Sequence, residues 1–161
     1  MNLVEVFKIF PPEIATLLIA MLPIAELRGA IPIALTVYKL SISTSYIVAV
    51  IGNIIPVVFL LWLLGPVSGY LMEKSKLANK FFTWLFSRTH HKFSGKYKVW
   101  GDLALIVFVA IPLPITGAWT GSVAAFLFGI PKKKSLVLIT MGAMIAGVVV
   151  TLATLGIVSI F

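Results

Sequence analysis

Residues 22–35, LPIAELRGAIPIAL, decide the fold of this chain, because they place an ionised pair inside an apolar run from Ile14 to Val37. A charge at bilayer depth costs roughly 2.5–3.5 kcal/mol on insertion scales, so Glu26 and Arg28 require a partner, a cavity or a function. Three helix-disrupting residues lie beside them: Pro23, Gly29 and Pro32. Helix breaks next to charges indicate backbone that lines a polar cavity, and we interpret this stretch as a transport site.

The composition is that of an integral membrane protein. Of the 161 residues, 60% are hydrophobic and 11% are charged, whereas a soluble domain carries about 25% charged residues. The mean hydropathy is +1.11. The absence of cysteine excludes a disulfide framework and a thiolate metal site. The length predicts a single membrane domain over residues 1–161.

Two interpretations of residues 12–38 remain open. The apolar run Ile14–Leu22 rises about 14 Å as a helix, which is roughly half of the 30 Å hydrocarbon core. If the helix breaks at Pro23 and a second short helix runs from Gly29 to Tyr38, the segment is a re-entrant hairpin that enters and leaves on one side. The alternative is one kinked transmembrane helix of about 25 residues.

The second half of the chain has the same kind of interrupted segment. The apolar run Leu103–Ile111 is again short, and it is followed by Pro112 and Pro114. We expect the side chain of Thr116 to cap a new helix over residues 117–129, because a threonine oxygen can accept a bond from a free backbone donor. This segment is therefore predicted to be a second re-entrant hairpin.

The order of features indicates an internal repeat. Each interrupted segment precedes an apolar run that is long enough for a full span, residues 44–72 and 135–161. Similar residues recur 88–90 positions apart: Pro23 with Pro112, Gly29 with Gly117, and Gly52 with Gly142. We predict an all-α integral membrane fold of two inverted repeats, residues 1–72 and 103–161, each a helix-break-helix hairpin followed by one transmembrane helix.

The linker between the repeats, residues 73–102, is the only long polar stretch. Its basic and aromatic residues alternate at near-helical spacing, which is typical of an amphipathic helix on anionic lipid. The expected lipid-binding residues are Lys74, Lys76, Lys80 and Arg88. If both interrupted segments are re-entrant hairpins, ten of the 13 Lys and Arg residues lie on one side of the membrane. If all four apolar segments cross, eight of these residues lie on one side and four on the other. The positive-inside rule favours the hairpins, with the linker cytoplasmic, both termini outside, and the protein in the cytoplasmic (inner) membrane.

The hairpin tips are predicted to meet near the middle of the membrane and to form the site. Helix N-termini at the tips would favour anions, and Arg28 would supply further hydrogen-bond donors. Glu26 is the only acid at this depth, so it is the candidate proton carrier. A buried Glu26–Arg28 pair that only stabilises the fold is the structural alternative. The predicted pathway residues are Glu26, Arg28, Gly29, Pro32, Asn53, Pro112, Pro114, Thr116, Gly117, Trp119 and Thr120. The competing role for Asn53 is a helix–helix hydrogen bond, and the competing role for Trp119 is packing alone.

Metal binding and enzyme activity find no support in the sequence. The two histidines, His90 and His91, are adjacent in the linker, and no cysteine is present to complete a ligand set. No Ser-His-Asp or Cys-His arrangement accompanies the apolar segments. We expect no cofactor, no enzyme activity and no nucleic-acid partner.

Two stretches, ELRGAIP at residues 26–32 and PLPITGAWTG at residues 112–121, resemble the signatures of the small multidrug export protein family. That family is similar to the wider DedA/VTT superfamily of re-entrant-hairpin membrane proteins. The resemblance extends from about Ile14 to the C-terminus, and it implies two opposed hairpins, two spans and an export function. DedA-like relatives are implicated in proton-coupled transport and in moving lipid-linked phosphates.

The leading hypothesis is a small, proton-coupled secondary transporter with its site at the hairpin tips. A DedA-like lipid-phosphate flippase or scramblase and a non-transporting membrane structural factor are the alternatives. A lateral gap toward lipid would favour the flippase. A water-filled vestibule would favour transport of a soluble substrate, and a tightly packed tip would favour the structural factor. Membrane lipids, protons and an unidentified small-molecule or lipid substrate are the expected partners. Because two hairpins and two spans bury little surface, we also expect a homo-oligomer, with a dimer as the default.

Overall fold

The computed structural model describes Phe7 and residues 9–77, 79–84, 97–113 and 116–160. Within these ranges the regular secondary structure is helical and no strand occurs, which confirms the predicted all-α class. The described helices of ten or more residues are α1 (Pro12–Met21), α2 (Glu26–Thr36), α3 (Ile42–Lys74), α4 (Tyr97–Ala110), α5 (Ala118–Leu127) and α6 (Lys132–Ile160).

Helices α3 and α6 are the two described helices that are long and apolar enough to cross a membrane. They contain 33 and 29 residues, or about 50 and 43 Å, which exceeds the 30 Å hydrocarbon core. Only 33% and 39% of their most apolar windows are buried, so most of this apolar surface faces outward. Outward-facing apolar surface on such long helices is what a lipid environment requires, and it confirms the membrane-protein prediction.

Helices α3 and α6 pack side by side in antiparallel directions. Near the start of α3, the Tyr46 hydroxyl donates to the Met144 carbonyl, twelve residues into α6, at 3.0 Å. Farther along α3, the Trp62 ring centroid lies 5.3 Å from Lys132 Nζ, at the start of α6. The beginning of α6 therefore lies at the same end of the molecule as the last part of α3.

Two interrupted segments pack against these long helices. We call α1, residues 22–25 and α2 the first broken segment, and α4, residues 111–117 and α5 the second broken segment; the connecting residues are the first and second breaks. Glycines on the long helices allow close approach, because a Cβ at Gly52 would overlap the Leu17 carbonyl of α1 and one at Gly142 would lie 2.8 Å from the Ile106 carbonyl of α4.

Helix α2 begins three residues earlier than the sequence predicted. The backbone N–H of Glu26 donates to the Leu22 carbonyl at 2.9 Å, and that of Gly29 donates to the Ala25 carbonyl at 2.8 Å, so the helix resumes before the glycine. Pro32 lies inside α2 rather than at a break, where its missing N–H leaves the Arg28 carbonyl without its usual helical partner.

Candidate functional site

Glu26 connects the first broken segment to the second. It is the first residue of α2 and is only 6% exposed. Its carboxylate accepts hydrogen bonds from the backbone N–H groups of Ala118 at 3.3 Å and Trp119 at 3.4 Å, which begin α5. The first N–H groups of a helix have no partner within it and carry the positive end of its dipole. Glu26 therefore caps α5 from a position 92 residues away from Ala118.

The backbone at this contact is unusual on both sides. Glu26 has φ 45°, a left-handed conformation that is uncommon for residues other than glycine and costs on the order of 1 kcal/mol or more. Gly117 has φ 141°, and a Cβ there would overlap the Glu26 carboxylate, lying 2.7 Å from its Cδ. The strain at Glu26 and the bare backbone of Gly117 together allow the carboxylate to reach the end of α5.

Two further polar contacts join the breaks. The Arg28 guanidinium donates to the Leu113 carbonyl in the second break. In the opposite direction, the indole Nε1 of Trp119 donates to the Met21 carbonyl at the end of α1, at 3.2 Å. Carbonyls at the end of a helix lack a helical partner, so the Trp119 indole satisfies a group that the first break leaves free. The Leu113 carbonyl also accepts from the Thr116 N–H at 3.2 Å, so Arg28 is a second donor to it.

Glu26 and Arg28 do not form a salt bridge with each other. The ion pair present among the described residues joins Lys134 to Asp102, near the starts of α6 and α4. Each of the two site charges is instead bonded to backbone of the second broken segment, through Ala118 and Trp119 or through Leu113. The direct Glu26–Arg28 pair of the structural alternative is therefore not formed, and the two residues act as separate links between the segments.

Thr116 has a different role from the predicted helix cap. Its hydroxyl donates to the Ile111 carbonyl at 2.5 Å and accepts from the Leu113 N–H at 3.1 Å, so it closes the turn of the second break. Helix α5 has Gly117 at its N-cap and no side-chain bond from that residue. The donors that Thr116 was expected to satisfy are taken by the Glu26 carboxylate.

An open cavity of about 370 Å³ lies beside these contacts, and we call it the outer cavity. It is lined by Pro23, Glu26, Arg28, Thr116, Trp119, Thr120 and Val123. Its wall combines two charged side chains and two hydroxyl groups with an indole and two aliphatic side chains. A cavity of this size and chemistry can receive a small molecule that has both polar and apolar parts.

A second cavity, of about 10 Å³, shares Glu26, Arg28 and Thr116 with the first and is less open, and we call it the inner cavity. Its polar lining includes Glu26, Arg28, Asn53 and Thr116, and Ala143 and Ala146 of α6 contribute apolar surface. Asn53 is 1% exposed, and its Oδ1 atom has no hydrogen-bonding partner among the described groups. The helix–helix hydrogen bond that was one expectation for Asn53 is not made by this oxygen.

The structure brings most of the predicted pathway residues together. The two cavities are lined, among others, by Glu26, Arg28, Asn53, Pro112, Thr116, Gly117, Trp119 and Thr120. Gly29 and Pro32 line neither cavity, since they lie farther along α2. Pro114 lies outside the described residues.

Sequence reasoning missed the backbone acceptors of the site and two apolar wall residues of the outer cavity. The acceptors are the carbonyls of Met21 and Leu113, and the wall residues are Pro23 and Val123. A helix that ends at a break always leaves carbonyls free, so the positions of the breaks were a usable signal for the acceptors. No local signal identifies Val123, because its relation to the cavity depends on how α5 packs.

The predicted lipid-binding lysines lie near the end of α3. Lys74, Lys76 and Lys80 are exposed, and Lys74 Nζ lies 5.4 Å from the Tyr70 ring centroid. Arg88 lies outside the described residues, as do His90 and His91. The part of the chain that the structure describes contains no group of three His, Cys, Asp or Glu residues that could hold a metal ion.

Comparison with known proteins identifies one family. The family model described as "Putative small multi-drug export protein" matches residues 26–149, which is more than half of the chain. This range begins at Glu26, directly after the first break, and it includes the second break and the contact between Glu26 and α5. No curated protein matches the chain, and no solved structure matches it.

Proposed function

The chain belongs to the small multi-drug export protein family, and from that premise we propose that it is a proton-coupled secondary transporter whose site lies between the two breaks. The observation that carries the proposal is the cap that Glu26 forms on α5 beside the open outer cavity. A titratable group that joins two separate segments at a cavity can link the binding of a proton to movement of those segments.

The proposed coupling depends on the charge of Glu26. As a carboxylate, Glu26 accepts charge-assisted bonds from Ala118 and Trp119, and these are roughly twice as strong as neutral ones. Protonation removes the charge and its attraction to the positive end of α5. The contact between the broken segments then weakens, and the outer cavity can change the side to which it opens.

Arg28 is the proposed partner of the substrate. A guanidinium has five N–H donors, and the described contact uses donation to one carbonyl, that of Leu113. Arg28 and Trp119 both line the outer cavity. A substrate with an acceptor group and an apolar body would therefore satisfy both parts of the wall, and a volume of about 370 Å³ is within the range of small-molecule sites.

The depth of the contacts supports re-entrant hairpins. Gly52 lies ten residues into α3 and Gly142 ten residues into α6, or about 15 Å from the start of each helix, so neither contact lies at a helix end. At these two glycines, a carbonyl of α1 and a carbonyl of α4 lie within 3 Å of where a Cβ would be. Because α3 and α6 are antiparallel, we propose that the two hairpins enter from opposite faces of the membrane and meet at its middle.

The same contacts support an inverted repeat. Leu17 of α1 faces Gly52 of α3, and Ile106 of α4 faces Gly142 of α6. The equivalent positions are 89 and 90 residues apart, so each half packs its first short helix against its long helix in the same way. Repeats of opposite orientation with interrupted helices at their interface are a known transporter architecture.

The charge distribution supports a cytoplasmic linker. Lys132 contacts Trp62, so the lysines at the start of α6 lie toward the end of α3 that carries Lys74. Both basic groups then face the same side of the membrane, which the positive-inside rule assigns to the cytoplasm. We propose a multi-pass protein of the inner membrane with this orientation.

A DedA-like lipid-phosphate flippase is the second candidate, and one observation favours it. Arg28 lies in an open cavity whose wall also contains Pro23 and Val123, so a phosphate and part of a lipid chain have complementary surfaces there. The structural-factor alternative required a tightly packed tip without a cavity. An open cavity of about 370 Å³ at the breaks argues against that alternative.

Transport by the purified chain in proteoliposomes tests the proposal. The vesicles contain a pH-sensitive dye, a pH gradient is imposed, and movement of ethidium and of carboxyfluorescein is followed as cationic and anionic probes. We expect a transported probe to accelerate proton flux, and Glu26→Gln to abolish pH-driven movement but not exchange at equal pH. Glu13→Gln is the matched control, because Glu13 is an exposed carboxylate in the first turn of α1. Full proton coupling in the Glu26 variant would reject Glu26 as the carrier.

A further inference from the structure

Asn53 presents an unused hydrogen-bond acceptor to the candidate site. It lies in α3, belongs to neither broken segment, and is 1% exposed. Its Oδ1 atom is buried without a partner among the described groups, although buried polar atoms are almost always bonded. An unpartnered buried acceptor at a functional site therefore requires an explanation, and a donor that is present in only one state of the protein supplies one.

The inner cavity connects Asn53 to Glu26. Both side chains line it, together with Thr116 and the backbone of Gly117. Its volume of about 10 Å³ corresponds to roughly one water molecule, and its polar lining offers the two or more partners that a buried water needs. When Glu26 is protonated, a water there can accept from its carboxyl O–H and at the same time donate to Asn53 Oδ1.

We infer that Asn53 is a positioning residue for the proton, and that its Oδ1 atom, through one water in the inner cavity, accepts the hydrogen bond of protonated Glu26. This inference rests on the proposed function, in which Glu26 carries a proton. Protonated Glu26 gains an O–H donor that the N–H groups of Ala118 and Trp119 cannot accept. The inner cavity, which Asn53 also lines, supplies the missing acceptor.

The charged groups that face this cavity are few. Among the described residues that line it, Glu26 and Arg28 of α2 carry charge. The lining residues contributed by α3, α4, α5 and α6 include no titratable side chain: Asn53, Val109, Ala118, Ala143 and Ala146. A change of protonation sensed by Asn53 is therefore a change at Glu26, with Arg28 as the constant neighbouring charge.

Infrared difference spectroscopy of the full chain in lipid vesicles, titrated with pH, tests the inference without a substrate. Glu26→Gln identifies the band of the protonated carboxyl. In Asn53→Leu, which removes the acceptor at similar size, we expect this band to move to higher frequency and the proton affinity to fall about tenfold, the effect of losing one bond to the protonated form. The midpoint of the titration then moves to lower pH.

Two variants complete the design. Asn53→Ser keeps an oxygen acceptor and should restore the wild-type band and midpoint. Ser45→Ala is the matched control, because Ser45 Oγ is also buried on α3 without a partner but lies outside the inner cavity. This change should alter neither the frequency of the Glu26 band nor the midpoint of its titration. If the leucine variant does not fold, Asn53→Ala serves instead, since the equivalent position in the other half is Ala143.

The outcomes separate the inference from the proposed function. The inference would be overturned if the Glu26 band titrated identically in the wild type and in Asn53→Leu or Asn53→Ala. Glu26 would then remain the proton carrier. A spectrum in which Glu26→Gln removes no titrating band would reject the proton carrier, and the inference with it. A shift in the leucine variant that serine reverses would support both.

Discussion

Gly117 and the carboxylate of Glu26 lie so close together that a Cβ at position 117 would overlap the carboxylate, 2.7 Å from its Cδ. Gly117 also has φ 141°, which side chains disfavour. We predict that Gly117→Ala destabilises the protein by about 1–3 kcal/mol or more, because it adds backbone strain and displaces the cap of α5. Thermal unfolding in detergent measures this loss.

A matched glycine provides the control for Gly117→Ala. A Cβ at Gly69 of α3 meets no atom within 4 Å, so Gly69→Ala should leave stability unchanged or raise it by up to about 1 kcal/mol. Equal effects of the two substitutions would show that position 117 has no special contact with Glu26.

The absence of a direct Glu26–Arg28 salt bridge leads to a second prediction. Glutamine at position 26 retains an oxygen that can accept from Ala118 and Trp119, so we expect Glu26→Gln to fold with a loss of about 1 kcal/mol. Adding Arg28→Gln should lower stability further, because Arg28 bonds the Leu113 carbonyl and not Glu26. Rescue of the single variant by the double variant, seen in the same unfolding assay, would instead establish a stabilising charge pair.

The close approach of short and long helices leads to a third prediction. A Cβ at Gly52 would overlap the Leu17 carbonyl, and one at Gly142 would lie 2.7 Å from Val109 Cβ, so alanine at either position must move a packed helix. We expect each substitution to lower stability by about 1–3 kcal/mol. Circular dichroism during heating measures the stability of both variants. Gly156→Ala is the reference, because a Cβ at Gly156 meets no atom within 4 Å. A neutral effect at both positions would contradict the packing of α1 and α4.

The antiparallel arrangement of α3 and α6 leads to a fourth prediction. The chain has no natural cysteine, so a single introduced cysteine reports its own location. We expect cysteines at Lys76 and Lys133, both exposed, to react with a membrane-impermeant reagent from the cytoplasmic side, and one at Ser41 to react from the outside. Labelling of Lys133 and Ser41 from one common side would favour four crossing segments over two re-entrant hairpins.

The exposed lysines after α3 lead to a fifth prediction. Neutralising Lys74, Lys76 and Lys80 together should reduce the thermal stabilisation that phosphatidylglycerol confers on the full chain in neutral detergent, since each lysine near an anionic surface contributes about 1 kcal/mol. The difference should shrink as salt is added. Lys39→Gln is the control, because Lys39 lies outside this basic group. Equal stabilisation by the lipid of the wild type, the triple variant and Lys39→Gln would rule out a specific contribution of Lys74, Lys76 and Lys80.

Local features of the sequence were sufficient for the class of protein and for the positions of its elements. The long apolar runs predicted α3 and α6 because run length and composition alone decide whether a helix can span a bilayer. The prolines at 23 and 112 marked both breaks, since proline removes a donor from its own turn. The start of α2 was misplaced because Gly29 disfavours but does not forbid a helix, and the N–H of Glu26 reaches the Leu22 carbonyl.

Only the tertiary structure decided how the site is connected. Glu26 and Arg28 were recognisable from their charge, but their partners, Ala118, Trp119 and Leu113, lie in the other half of the chain. Nothing in the sequence near residue 26 specifies which distant backbone groups will be free and within reach. That choice depends on the packing of two broken segments against two antiparallel helices, so it is a property of the assembled core and not of any local stretch.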